Sequence, residues 1–162
     1  MISVGEKLPE ATLVQIGAKG PEPVAIGDKT RGRKVAIFAV PGAYTPTCSA
    51  AHVPSFIRTK DQLIAKGVDE IICISVNDPF VMAAWGKETG ATEAGITMLA
   101  DADCSLTEAI GMRFDAAAAG LLARSLRYAM LVEDGEVTIL QMEKGPGICE
   151  LTAGEGLLET MG

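Results

Sequence analysis

Histidine occurs once in this 162-residue chain, as His52, and the four cysteines, Cys48, Cys73, Cys104 and Cys149, stand far apart. No C-x-x-C pair exists, so both a zinc site and a dithiol redox pair lose their usual ligand spacing. Basic side chains are also scarce: 14 Lys and Arg face 21 Asp and Glu, for a formal net charge of −7. Nucleic acids and membrane surfaces are anionic and need clustered Lys and Arg, so both drop out as partners. The one basic cluster, "KTRGRK" at 29–34, reads as a solvated turn. No apolar run approaches the roughly 18 residues that a membrane span requires, and "MISVGEKLPEATLV" lacks the basic-then-apolar order of a secretory leader. The expectation is one domain over 1–162 in a cytoplasmic setting, where thiols stay reduced and any disulfide is transient.

What the chain does have is apolar content, 48% of its residues, enough for a sizeable core. "VAIFAV" at 35–40 and "EIICISV" at 70–76 are continuous apolar runs, as expected of parallel strands covered on both faces. Between them Val53, Phe56, Ile57, Leu63 and Ile64 recur at helical spacing and Gly67 supplies a stop, which predicts a right-handed βαβ unit. Asp78 and Pro79 predict the start of a second helix, with Met82 and Trp85 on one face. A short strand follows at 97–101, then a helix from Ser105 with Ser105 and Glu108 as a capping box. "DAAAAGLLARS" reads equally as helix or loop. "RYAMLVEDGEVTILQM" predicts a hairpin turning at Asp134-Gly135, and a short helix ends the chain. The order implies an α/β thioredoxin-like fold, with a mixed central sheet and helices on both faces. In open α/β sheets the site lies beyond the carboxyl ends of the strands.

The stretch "PGAYTPTC" sits at such an end. Thr45 is a candidate N-cap and Pro46 the first helical residue, so Cys48 falls in the first turn, where backbone N–H groups lack helical partners. The positive end of the helix dipole and those donors favour a thiolate, which makes Cys48 a candidate nucleophile. The competing reading is a small buried apolar cysteine. Pro54 is expected to interrupt or restart the helix.

"PGAYTPTC" resembles the P-x-x-x-T-x-x-C motif of the peroxiredoxins. With "SVNDPF" and the strand "RYAM", the chain resembles the type II, or peroxiredoxin-5-like, branch over nearly its whole length. The resemblance implies a thiol-dependent peroxidase that reduces hydrogen peroxide and alkyl hydroperoxides at Cys48, passing through a sulfenic acid, with neither metal nor other cofactor. It assigns Thr45 a hydroxyl shared between sulfur and peroxide, Pro41 the shielding of the thiolate, and Arg127 the cation, with Arg124 as rival. Tyr44 and Phe80 are expected at the substrate mouth or a dimer contact, and His52 in a structural or capping role. Cys73 and Cys149 are candidate resolving cysteines, each with a packing role as the alternative. Cys104 is expected near the surface without a role. Glutathione with glutaredoxin, or thioredoxin, is the implied reductant, and a homodimer the implied assembly. A peroxide sensor or redox-regulated partner protein using Cys48 is the alternative from another functional class.

Overall fold

In the strand Lys34–Ala39 (β3), Val35, Ile37 and Ala39 enter one buried cluster while Ala36 and Phe38 enter another. A strand whose alternating faces are both apolar must lie between two layers. The computed structural model, which describes residues 1–145 and 147–162, places it so. Glu70–Ser75 (β4) pairs parallel to β3, and Thr97–Ala100 (β5) parallel to β4. Tyr128–Glu133 (β8) runs antiparallel on the other side of β3, followed by Glu136–Met142 (β9). Asp134 and Gly135 both have positive φ, 49° and 79°, as their two-residue turn requires.

Two further strands, Thr12–Gly17 (β1) and Gly20–Ala25 (β2), form a hairpin that joins the sheet through β5. This hairpin is not among the elements expected from the residue pattern. β2 carries Pro21 and Pro23, residues that cannot donate to a ladder, and it lies at the outer edge of the order β2-β1-β5-β4-β3-β8-β9. The ambiguous alanine-rich stretch resolves into a separate two-stranded ribbon, Arg113–Ala116 (β6) and Leu121–Ser125 (β7), joined by a short 3-10 turn at Ala117–Ala119.

Val53–Ala65 (α2), Pro79–Thr89 (α3) and Gly154–Met161 (α5) contribute Phe56, Leu63, Met82, Trp85 and Leu157 to the cluster on one face. Ile26–Thr30 (α1) and Ser105–Ala109 (α4) supply Ile26 and Leu106 to the other. The mixed sheet with helices on both faces is therefore present. Ile64, expected on the buried stripe of α2, is instead 49% exposed, because Leu63 already fills the inward position of that turn.

Asp78 caps α3 as expected, accepting from Val81 N–H at 2.8 Å, and Gly90 closes that helix with φ 83°. The capping box at Ser105 does not form. Cys104 takes the cap position with φ 64°, and the buried Asp101 carboxylate reaches back to accept from the N–H of Leu106 and Thr107 and from the Thr107 hydroxyl. Cys104 is buried as a result, not near the surface. The basic cluster is not a free turn either: Lys29 and Arg33 both pair with Glu70 of β4, at 3.1 and 2.8 Å.

Candidate active site

After β3 the chain crosses the carboxyl end of the sheet in a loop fixed by its neighbour. Val40 N–H donates to the Ile74 carbonyl, and Asn77 Oδ1 accepts from Ala43 N–H at 3.0 Å and from the Ser75 hydroxyl at 2.6 Å. The polar residues of "SVND" thus hold the loop with one side chain and start α3 with the next. Tyr44 sits in this loop with φ 67°, a left-handed conformation uncommon outside glycine and asparagine.

The helix that follows begins at Pro46, and Ser49 N–H bonds the Thr45 carbonyl, so Thr45 stands at the cap position. Its side chain does not cap. Thr45 Oγ1 donates to the Gly42 carbonyl at 2.8 Å and lies 2.7 Å from Cys48 Sγ, so one hydroxyl serves both. From Cys48 to His52 the helix widens into a π-turn, with Val53 N–H reaching back to the Cys48 carbonyl. Pro54 has no N–H to give, and the wider turn absorbs that loss, so the helix continues without a break. Trp85 Nε1 of α3 donates to Ser49 Oγ at 2.9 Å and anchors the same turn.

Cys48 is fully buried and belongs to the apolar cluster of Phe38, Val53 and Phe56. Its carbon side packs in that cluster while its sulfur faces polar atoms. Arg127, the residue before β8, is 3% exposed and donates through Nη2 to Cys48 Sγ at 3.3 Å. The guanidinium thus sets a positive charge directly against the sulfur, away from solvent.

His52 is the residue whose place the sequence reading missed. Its Nε2–H donates to the Thr152 carbonyl at 2.9 Å, which leaves Nδ1 free to accept from Arg127 Nη1, also at 2.9 Å. Burial and, after it, the Arg127 charge pull its pKa down to about 3, against the opposing pull of the Thr152 carbonyl. His52 is therefore neutral and a fixed acceptor for the arginine. The signal was present in "TCSAAH", where histidine follows cysteine by one wide turn.

A cleft of about 200 Å³ opens at this point, walled by Pro41, Thr45, Pro46, Thr47, Leu121, Arg127 and Gly147. Pro41, Thr45 and Arg127 meet there with Cys48 behind them. Arg124 does not reach the sulfur; its guanidinium lies against Gly42. Tyr44 and Phe80 do not wall this cleft and are largely exposed, at 49% and 64%.

The remaining thiols differ from Cys48. Cys73 lies mid-sheet in register with Phe38 and Met98, and burial first, then the charge of Cys48, raises its pKa well above the ordinary value despite Arg127. Cys149 is half-buried with Sγ 3.9 Å from Thr152 Oγ1. Burial raises its pKa too, Thr152 and Arg127 pull the other way, and Glu143 and Cys48 add to the rise. Among the described residues no cluster of His, Cys, Asp and Glu could hold a metal ion, and no helix is long and apolar enough to cross a membrane.

A buried thiol at a helix start, met by a hydroxyl and a guanidinium beneath an open cleft, is the equipment of a thiol-dependent peroxidase. The redoxin family model matches residues 3–156. Peroxiredoxin-2E-2, chloroplastic, of Oryza sativa subsp. japonica is 46% identical over 96% of this chain and 71% of its own length. Peroxiredoxin-2D of Arabidopsis thaliana is 40% identical over 99% and 98%. Reduced Prx3 from Vibrio vulnificus, solved in complex with H2O2, superposes with a TM-score of 0.93 at 46% identity, each chain covered completely. The chain belongs to the redoxin family and is a peroxiredoxin of the type II, peroxiredoxin-5-like branch, with the thioredoxin fold of that family. Its activity is that of a thiol-dependent peroxidase.

Proposed function

We propose that Cys48 is the cysteine that reduces peroxide, assisted by Thr45, Arg127 and Pro41. The observation that carries this reading is the convergence of Thr45 Oγ1 and Arg127 Nη2 on one sulfur, at 2.7 and 3.3 Å, behind an open cleft. The thiolate attacks one peroxide oxygen in line with the O–O bond. An S–O bond forms, the O–O bond breaks with its electron pair leaving on the distal oxygen, and that oxygen takes a proton to depart as water or an alcohol. Negative charge moves from sulfur to the leaving oxygen. Arg127, already donating to sulfur, stabilises the charge at both ends of that path. Thr45, whose one hydroxyl hydrogen lies within reach of both Cys48 Sγ and the Gly42 carbonyl, keeps a lone pair for the incoming peroxide proton, and Pro41 walls the cleft against water. Hydrogen peroxide is the substrate favoured here, since the Vibrio vulnificus relative is described in complex with it, and alkyl hydroperoxides fit the same chemistry.

The sulfenic acid then condenses with an external thiol to give a mixed disulfide and water, and a second thiol restores Cys48. Glutathione with glutaredoxin, or thioredoxin, is the reductant class. Burial of Cys73 at mid-sheet disfavours resolution from within the fold. Cys149, half-buried and within the electrostatic reach of Cys48, is the second reading. The exposed apolar side chains Tyr44, Phe80 and Leu122 support a homodimer, and four free cysteines support a reducing, cytosol-like setting.

Intact-mass analysis after one equivalent of hydrogen peroxide with a dimedone trap tests the assignment. A single adduct abolished only by Cys48→Ser supports the one-cysteine cycle. Loss of two hydrogens that Cys149→Ser or Cys73→Ser prevents identifies that residue as resolver, and a Cys48 that stays unoxidised overturns the proposal. Saturable turnover with an added thiol separates the enzyme from a stoichiometric peroxide sensor.

A further inference from the structure

Glu143 stands just beyond the end of β9 and touches neither Cys48 nor the peroxide cleft. Its carboxylate nonetheless gathers four donors from one short segment. Oε2 accepts from Glu150 N–H at 2.7 Å, Thr152 N–H at 3.3 Å and the Thr152 hydroxyl at 2.9 Å, and Oε1 accepts from Leu151 N–H at 2.9 Å. Three successive backbone N–H groups turned towards one point form an anion-binding concavity, here filled by a carboxylate of the same chain. Hydrogen bonds to an ionised acceptor are about twice as strong as neutral ones, so this clamp fixes the peptide groups it holds.

The carbonyl at the end of that segment is the one that orients the active-site histidine. Thr152 is fully buried and its carbonyl accepts from His52 Nε2–H; His52 Nδ1 then accepts from Arg127 Nη1, and Arg127 Nη2 donates to Cys48 Sγ. We infer that Glu143 is a positioning residue for Cys48, acting through the Thr152 carbonyl and His52 on the orientation of Arg127. Loosening the clamp lets the Thr152 carbonyl drift, His52 loses its tautomer-fixing partner, and Arg127 loses one of the contacts that aim it. The inference deepens the assignment of Cys48 as the peroxide-reducing cysteine.

Glu143→Gln tests it, because the amide keeps the shape but turns an N–H2 group towards backbone donors. The readout is the rate of Cys48 alkylation by iodoacetamide, followed by peptide mass mapping across the acid-to-neutral pH range. Arg127 donates to Cys48, and the Cys73 and Cys149 thiols feel its charge; the same maps report both thiols. Glu143→Gln is expected to slow Cys48 alkylation at neutral pH by about tenfold to a hundredfold, the scale of an ångström-level misplacement, and to move its profile to higher pH. In a His52→Phe background the same substitution is expected to add nothing further, since the relay is already cut. An unchanged profile in Glu143→Gln, or an undiminished effect in the His52→Phe background, overturns the inference. Should Glu143→Gln not fold, Thr152→Val removes one donor and leaves the carbonyl; a smaller shift in the same direction supports the relay and an unchanged profile refutes it. Alkylation requires no peroxide, so failure of the relay is distinguishable from failure of the peroxidatic assignment, which dimedone trapping reads.

Discussion

Arg127 meets sulfur with one nitrogen and imidazole with another, and that division of its fork decides what can replace it. Lysine offers a single ammonium and cannot hold both partners in one geometry. Arg127→Lys is expected to retain charge but lose most peroxide turnover, measured as the rate of Trp85 fluorescence change on adding peroxide. Thr45→Val removes the hydroxyl from the reacting sulfur and is expected to cost about 10²–10³ in rate, while Thr45→Ser keeps most of it. The histidine has a consequence for stability. Its pKa is near 3 in the folded chain and about 6.5 when unfolded, so the unfolded state takes up the extra proton first. The stabilisation is complete above roughly pH 6.5 and drains away as the pH falls towards 3, by an amount on the order of several kcal/mol. Urea melts at stepped pH are expected to show this acid limb in the native chain and a flatter one in His52→Phe.

Among the elements, α4 depends on a carboxylate four residues before its start. Asp101→Ala strands two buried N–H groups and one hydroxyl, and is expected to cost about 2–3 kcal/mol in denaturant melts without touching the cleft. This cap also shows what a sequence reveals and what it hides. Asp78 caps from the adjoining position, as Asp-Pro predicts, and Asp134-Gly135 fixes its hairpin through two positive φ angles. Both are local. Asp101 acts across a turn that Cys104 makes by adopting φ 64°, a conformation that no local rule assigns to cysteine. β2 was hidden for a related reason: prolines at 21 and 23 argue against a strand unless its outer side is already known to be an edge. Cys48, Thr45, Pro41 and Arg127 were legible from a motif and a strand. His52 was not, because its role rests on a carbonyl 100 residues away and on a turn wider than an α-helix.

For the whole molecule, the burial of Cys73 separates two kinds of opening. A thiol at mid-sheet, paired on both sides, reacts only when β3 and β5 part from β4. Its alkylation rate is therefore expected to follow global unfolding as denaturant rises, while Cys149 reacts under native conditions; mass mapping of both in one sample checks this. A Cys73 that reacts as fast as Cys149 in native buffer would give the sheet a local opening mode and restore Cys73 as a resolver.

The two borders of the sheet are chemically unequal. β2 presents Pro21 and Pro23, whereas β9 contains no proline. The start of β9 is already bonded on its outer side, where Val137 exchanges hydrogen bonds with Gly5 and Glu6, so growth by adding strand to strand is confined to the part of β9 beyond Val137. Two chains joined there would leave a proline-bearing border at each end, so such polymerisation terminates at a pair and cannot propagate into a fibre.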